Sequence, residues 1–95
     1  MDELRIETPR SVEELYELGM RAASGRMGLL NLVEAHKWFN LAAMKGHADA
    51  VLRRREVAAE MADREIGLAQ RAARDWLKSH PEIPAVVAPQ LAVAA

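Results

Sequence analysis

The chain of 95 residues contains no cysteine, few aromatic side chains and no long apolar run. Without cysteine there is neither a disulfide framework nor thiolate chemistry. No run approaches the roughly 18 apolar residues that a membrane-spanning helix needs, so we expect no membrane span. The formal net charge of −1 gives no general attraction to nucleic acid or to anionic lipid. The charged N-terminal stretch does not read as a signal peptide, and we expect one small cytoplasmic domain.

What the chain does contain is alanine-rich apolar content, 51% hydrophobic residues of which few are aromatic. An alanine-rich core buries little area per residue, so its stability depends on helices that approach each other closely. We expect an extended arm over residues 1–10, a helical domain over residues 11–79 and a flexible Pro/Ala-rich tail over residues 80–95. The alternative for the tail is that its larger apolar residues dock along a groove of this chain or of a neighbour: Ile83, Val86, Val87 and Leu91.

Capping patterns and apolar spacing predict the helices. Ser11 with Glu14, and Asn31 with Glu34, fit capping boxes in which each side chain satisfies an orphan backbone N–H. Turns are expected at three glycines that follow the first two helices: Gly25, Gly28 and Gly46. The apolar faces at helical spacing are Leu15, Leu18, Gly19 and Ala22; Ala35, Trp38, Phe39, Ala42 and Ala43; Ala50, Val51, Val57, Ala58 and Met61; and Ile66, Ala69, Ala73, Trp76 and Leu77. We expect at least one of Trp38 and Phe39 in the core.

The boundary between the third and fourth helices is weakly marked. The third helix is expected from about Ala48 to Met61, and the fourth from about Asp63 to Ser79, with Asp63 as a candidate cap. Nothing between Glu60 and Arg64 is a strong helix breaker. One long bent helix is therefore the alternative.

Between Ser11 and Ala50 the chain carries an ordered set of small and aromatic residues. The set consists of Leu18-Gly19, Gly25, Asn31, Ala35, Trp38-Phe39, Ala42-Ala43, Gly46-His47 and Ala50. In order and spacing it resembles the Sel-one-like repeat, a relative of the tetratricopeptide repeat. The resemblance implies an all-α fold, a short right-handed α–α superhelix of about four antiparallel helices. It also implies that Leu18-Gly19 lets the second helix approach the first.

The chain departs from the repeat pattern at three places. Ala22 stands where the family usually has an aromatic residue, and Met27 stands where it has a second loop glycine. Arg54-Arg55 falls where a following repeat would have its Leu-Gly pair. We therefore interpret the chain as one repeat followed by a terminating helical pair. Because such solenoids normally need about three repeats, it must cap itself, dimerise or fold on a partner.

No catalytic constellation is apparent in the sequence. His36, His47 and His80 share no metal-ligand spacing with one another or with nearby carboxylates. Ser24 has no base at a spacing that predicts nucleophilic catalysis. The segment 25–28 is too short for a phosphate loop and lacks its Lys-Ser/Thr step. We predict no enzymatic activity, no cofactor and no metal ion.

The one compact basic cluster is Arg53-Arg54-Arg55, which is either a phosphate or carboxylate clamp or a solvated helix face. Consecutive helical residues point about 100° apart, so the three cannot all meet one anion. Asp49, Glu56 and Glu60 lie within helical pairing distance and offset much of the positive charge. We do not expect this cluster to bind nucleic acid.

The resemblance implies that the first helix of each pair lines a concave binding face. Six residues of the first and third helices are the candidates for partner contact: Tyr16, Glu17, Met20, Leu52, Arg53 and Arg55. We predict a non-enzymatic adaptor that binds a protein or a peptide. The alternatives are a structural homo-oligomer, in which a second copy completes the solenoid, and a regulatory subunit of a larger complex.

Overall fold

The computed structural model describes residues 8–25 and 31–85, which form four α-helices and contain no β-strand. The helices are α1 (Val12–Ser24), α2 (Leu32–Met44), α3 (Ala48–Ala58) and α4 (Asp63–Ser79). The predicted all-α class with four helices is confirmed. Several predictions concern positions outside the described residues, namely those for residues 1–7, Met27, Gly28, Val86, Val87 and Leu91.

Side-chain caps begin the first two helices. Ser11 Oγ accepts a hydrogen bond from the Glu14 N–H at 3.1 Å, and Asn31 Oδ1 accepts one from the Glu34 N–H at 2.9 Å. The predicted reciprocal bonds are not formed. The Glu14 carboxylate instead accepts from the N–H of Arg10 at 2.8 Å. Each cap therefore satisfies one orphan N–H of its helix rather than the two expected of a capping box.

Glycines with positive φ follow α1 and α2, as predicted. Gly25 has φ 75° and Gly46 has φ 101°, and this left-handed region is accessible to glycine without a Cβ penalty. The next residue, His47, then begins α3, because its Nδ1 accepts a hydrogen bond from the N–H of Ala50 at 3.2 Å. A histidine thus takes the capping position that serine or asparagine takes in α1 and α2.

Helix α3 is shorter than predicted, ending at Ala58 rather than Met61. The N–H groups of Glu60 and Met61 bond to the carbonyls of Val57 and Ala58, each at 3.0 Å. These are three-residue bonds, which tighten the backbone into a turn and stop the α-helix.

Helix α4 is separate from α3, so the alternative of one long bent helix is wrong. Its N-cap is Ala62 rather than Asp63. The N–H of Ala62 donates to Glu65 Oε1 at 2.9 Å, which supplies the capping bond from inside the helix.

Helix α2 is central, packing against each of the other three helices. The consecutive helices α3 and α4 make few close approaches to each other. The buried cluster draws on all four helices and on the segment after α4: Val12, Leu15, Ala35, Phe39, Leu41, Ala42, Ala50, Val57, Ala73 and Ile83. The arrangement is three helices placed around a fourth, and the superhelical stacking implied by the resemblance stays a prediction.

The α1–α2 contact is set by Gly19 and Phe39. Phe39 is 1% exposed, which confirms that at least one of the two adjacent aromatic residues is core. A Cβ at Gly19 would lie 2.6 Å from Cδ1 and Cε1 of the Phe39 ring. Any larger residue at this position would have to displace a buried ring or separate the helices.

The α2–α4 contact uses large rings and small alanines. Trp38 and Trp76 meet edge to face with ring centroids 5.5 Å apart, and His80 stacks on Trp76 at 3.9 Å. Ala69 and Ala73 are the fully buried residues of α4, whereas both tryptophans are only half-buried. The apolar face predicted for α4 is therefore buried at its alanines and partly open at its ring.

The segment after α4 closes one part of the core. Ile83 is 1% exposed, and Lys45 Nζ at the end of α2 donates to the Ile83 carbonyl at 2.7 Å. Of the four residues that the docking alternative names, Ile83 is the one within the described part of the chain. An apolar side chain outside the four helices is thus part of the same core as Phe39.

Candidate functional site

A groove lies between α1 and α3, with Phe39 of α2 at its side. Its volume is about 170 Å³. The residues that line it are Met20, Ala23, Ser24, Phe39, Arg53, Glu56 and Val57. On both α1 and α3 the lining residues are spaced by three and four, which places each set on one face of its helix. The groove is therefore a surface that two helices build together.

Tyr16 joins the two helices beside this groove. Its ring lies 5.6 Å from that of Phe39 and stacks on His47 with centroids 4.1 Å apart and an interplanar angle of 13°. The Tyr16 hydroxyl accepts a hydrogen bond from Arg53 Nε at 3.2 Å. Arg53 also lies 3.3 Å from a carboxylate oxygen of Glu56. The bond to Tyr16, and then that to Glu56, raises the pKa of Arg53, so the guanidinium stays charged.

His47 fixes the start of α3 relative to α1. Because its Nδ1 accepts the N–H of Ala50, the neutral imidazole carries its hydrogen on Nε2. This Nε2 lies 3.4 Å from Glu13 Oε2 on α1. The histidine thus caps one helix and contacts another.

The structure brings together three of the six residues predicted for partner contact. Tyr16 bonds to Arg53, and Arg53 and Met20 line the groove. Leu52 is 56% exposed on α3 but does not line the groove. Glu17 and Arg55 are also exposed and lie outside the groove lining.

Five residues of the groove lining are absent from the six predicted for partner contact. They are Ala23, Ser24, Phe39, Glu56 and Val57. The spacing Met20-Ala23-Ser24 on α1 repeats as Arg53-Glu56-Val57 on α3. That shared spacing was the available signal, but it identifies the groove only once the two helices are known to face each other.

A second polar cluster lies where α3 crosses α2. Arg54 Nη1 donates to Asn40 Oδ1 at 2.7 Å. His36, one turn before Asn40, is 3% exposed, and its Nδ1 has no hydrogen-bond partner among the described residues. Burial lowers the pKa of His36, and the positive charge of Arg54 lowers it further. The imidazole is accordingly held in its neutral form.

The three consecutive arginines do not act as one clamp. Arg53 pairs with Tyr16 and Glu56, whereas Arg54 turns towards Asn40 on α2. Arg55 is exposed. The divergence follows from the rotation of about 100° per helical residue.

Within residues 8–25 and 31–85, no group of three or more histidine, aspartate or glutamate side chains is placed to hold a metal ion. No helix in the same part of the chain is long and apolar enough to cross a membrane.

Comparisons with protein-family models, with curated proteins and with solved structures return no match for this chain. The described structure is that of an all-α protein with four helices and a groove between α1 and α3.

Proposed function

We propose that the protein is a non-enzymatic interaction module and that the groove between α1 and α3 receives one apolar side chain from a segment of another protein. The observation that supports this is the groove itself, lined by Met20, Phe39 and Val57 and bordered by a charged pair. The Sel-one-like resemblance points to the same class of function. The proximity of Gly19 and Phe39 agrees with the close helix approach that the resemblance implies.

The size of the groove favours a side chain over a metabolite. Pockets for drug-sized ligands and cofactors commonly occupy about 300–1,000 Å³. A cavity of about 150 Å³ is large enough for a benzene-sized group. At about 170 Å³, this groove fits one leucine, methionine or phenylalanine side chain. Methionine is also an adaptable lining residue, since its unbranched thioether adjusts to irregular partners.

The ion pair of Arg53 and Glu56 at the edge of the groove favours an uncharged side chain as the group that enters it. Arg53 and Glu56 offset each other, and they present a donor and an acceptor next to the apolar lining. A peptide backbone carries one donor and one acceptor per residue, so it can bond to both groups while its side chain enters the groove. The proposed partner is therefore an uncharged apolar anchor within an extended or helical segment.

One observation favours the alternative of self-association. Leu52 is more than half exposed and lies one helical turn before Glu56. A second copy could cover both Leu52 and the groove, which would make this face a homo-oligomer interface.

The experiment compares two methionine variants of the full chain. Met20→Glu places a carboxylate in the groove, and Met44→Glu places one at an exposed methionine that does not line it. Tagged wild type and both variants are used for quantitative affinity capture with mass spectrometry, after circular dichroism has shown that all three are folded. We expect at least one protein to be retained by wild type and Met44→Glu but lost with Met20→Glu.

Light scattering on the same samples separates the alternatives. A wild-type dimer that dissociates in Met20→Glu, and persists in Met44→Glu, would favour self-association. A strictly monomeric wild type with no protein that distinguishes the two variants would contradict both forms of the proposal.

A further inference from the structure

The strongest unexplained feature outside the groove is the cluster of Arg54, Asn40 and His36. Arg54 is half-buried, and no carboxylate of the described residues lies within ion-pairing distance of it. Its one hydrogen bond among those residues is the 2.7 Å bond from Nη1 to Asn40 Oδ1. A guanidinium has five N–H donors, so most of those of Arg54 have no hydrogen-bond partner among the described residues.

Other cations of the described chain are satisfied differently. Arg53 lies against Glu56 and Lys37 lies 3.3 Å from Glu34, so each has a carboxylate partner, whereas Lys45 donates to a neutral group, the carbonyl of Ile83. Arg54 is thus a partly desolvated positive charge held by a neutral amide. Such a charge gains more from an anion than an exposed one does, because screening by water is weaker there.

Two side chains of α2, those of Asn40 and His36, lie beneath the guanidinium of Arg54. Asn40 and His36 are four residues apart and so share one face of α2, and helical side chains lean towards the N-terminus. The bond to Asn40 Oδ1 fixes the orientation of the amide, which leaves its Nδ2 as a second donor beside the guanidinium. Below them lies the buried His36, with its unpartnered Nδ1.

We propose that Arg54 and Asn40 form a binding site for a carboxylate at the α2–α3 crossing, separate from the groove between α1 and α3. Arg54 Nη2 and the remaining N–H groups would bind the two oxygens in the paired geometry that guanidinium and carboxylate share. The Asn40 amide would donate to the outer oxygen. His36 lies beneath the site and does not touch the ligand.

The count of charges selects a carboxylate over a phosphate. The site contains one cation, because Arg53 and Arg55 point away from it and His36 is held neutral. One positive charge is balanced by a monoanion, whereas a phosphate monoester at neutral pH carries more charge than a single guanidinium offsets. The carboxylate comes either from a free organic acid or from an aspartate or glutamate side chain of a polypeptide.

The NMR signal of His36 should report whether an anion binds at Arg54. Because Arg54 lowers the pKa of His36, an anion that neutralises Arg54 should raise it. The test follows the three histidine C2–H signals of the full chain by NMR, with His36→Gln used to assign the signal. Sodium acetate is titrated against chloride at constant ionic strength. A capped Gly-Asp-Gly peptide, with Gly-Asn-Gly as its neutral control, is titrated in parallel.

We expect acetate to shift the His36 signal saturably and to raise its pKa. In Arg54→Gln the affinity should weaken about tenfold or more, because the charge-assisted bonds are lost. Arg54→Lys keeps the charge without the fork, and it should bind more weakly than wild type but better than Arg54→Gln. Arg55→Gln is the matched control, since it removes a neighbouring exposed arginine and should leave the titration unchanged.

A His36 response that is absent in wild type, or that is equal in Arg54→Gln and Arg55→Gln, would overturn the proposal. If Arg54→Gln does not fold by circular dichroism, Arg54→Lys and Asn40→Ala decide the result in the same way. A response to acetate and to the Gly-Asp-Gly peptide indicates that side-chain carboxylates can enter the site. A response to acetate alone identifies free organic acids as the ligand class.

Discussion

Helix α2 packs against α1 and against α4 by two opposite means. Against α1 the contact depends on a missing side chain, since Gly19 lies directly on the Phe39 ring. Against α4 it depends on a large side chain, since Trp76 meets Trp38 edge to face. The first contact should therefore fail when atoms are added, and the second should fail when atoms are removed. In an alanine-rich core, a glycine and a ring are two ways to bring helices within packing distance.

The largest effect should come from removing the ring on which the α1 contact depends. Phe39→Ala should destabilise the protein by about 3–5 kcal/mol, because a fully buried ring leaves both its transfer energy and a cavity behind. That is much of the total of about 5–15 kcal/mol expected for a small domain. Urea unfolding followed by circular dichroism measures the change. If the variant is unfolded without urea, Phe39→Leu should show a smaller loss in the same direction, and no loss would contradict the assignment.

Adding one methyl group at the same contact should be the next largest effect. Gly19→Ala should cost about 1–3 kcal/mol, because the new Cβ overlaps the Phe39 ring. Gly67→Ala is the matched control. It lies in α4, where an added Cβ meets nothing nearer than Arg71 at 3.6 Å. There the substitution should stabilise by about 0.5–1 kcal/mol through helix propensity.

The changes in unfolding free energy for Gly19→Ala and Gly67→Ala should have opposite signs. They are measured as shifts of the urea midpoint at constant slope. Shifts of the same sign would show that backbone propensity, and not the Phe39 contact, governs both positions. The double variant Gly19→Ala/Phe39→Leu should lose less than the sum of its parts, because the smaller side chain vacates space for the methyl group.

Removing the Trp76 ring, which contacts Trp38, should destabilise the protein less than Gly19→Ala does. Trp76→Leu should lose about 0.5–1.5 kcal/mol of aromatic pairing with Trp38, in addition to a small loss of buried area. Trp76 also stacks on His80, so the change should shift the imidazole NMR signal of His80 as well. Thermal melting compares the variant with wild type and with Gly19→Ala. A loss larger than that of Gly19→Ala would reverse the order of the two contacts.

The smallest expected effect is a pH dependence of folding stability that is due to His36, which lies where α3 crosses α2. The pKa of His36 is lowered in the folded protein, so the unfolded chain takes up this proton first as the pH falls. Folding stability should therefore decrease as the pH falls from about 6.5, the ordinary value, towards the lower value of the folded state. Unfolding in urea at several pH values measures this slope. His36→Gln should reduce it.

The helix starts and the first two turns could be predicted from local chemistry. Ser11, Asn31, Gly25 and Gly46 each act through bonds or dihedral angles within a few residues, which the sequence contains in full. The end of α3 could not be predicted, because no breaker stands between Glu60 and Arg64. Its backbone turns at residues of high helix propensity, and local preference therefore did not decide that boundary.

The sites depended on how helices face one another, which local patterns do not contain. Tyr16 and Arg53 were placed on surfaces of their own helices, and their hydrogen bond spans 37 positions of sequence. The position of Arg54 beside Asn40 and His36 depends on the rotation of α3 about its axis. The predicted apolar face of α3 places Ala50 and Val57 in the core, but it does not show which side chains of α2 lie opposite Arg54.

The burial of Ile83 has a consequence for the order in which the protein can fold. Synthesis proceeds from the N-terminus, so the residues of all four helices are joined to the chain before Ile83 is added. The contact between Lys45 and Ile83 joins residues 38 positions apart, the same separation as that of Trp38 and Trp76, so the entropy of loop closure alone does not decide which of the two forms later. A nascent chain that ends at Ser79 has every helix but an unfilled place in its core. Refolding rates of Ile83→Ala against wild type would show whether the burial of this isoleucine follows or precedes the main barrier.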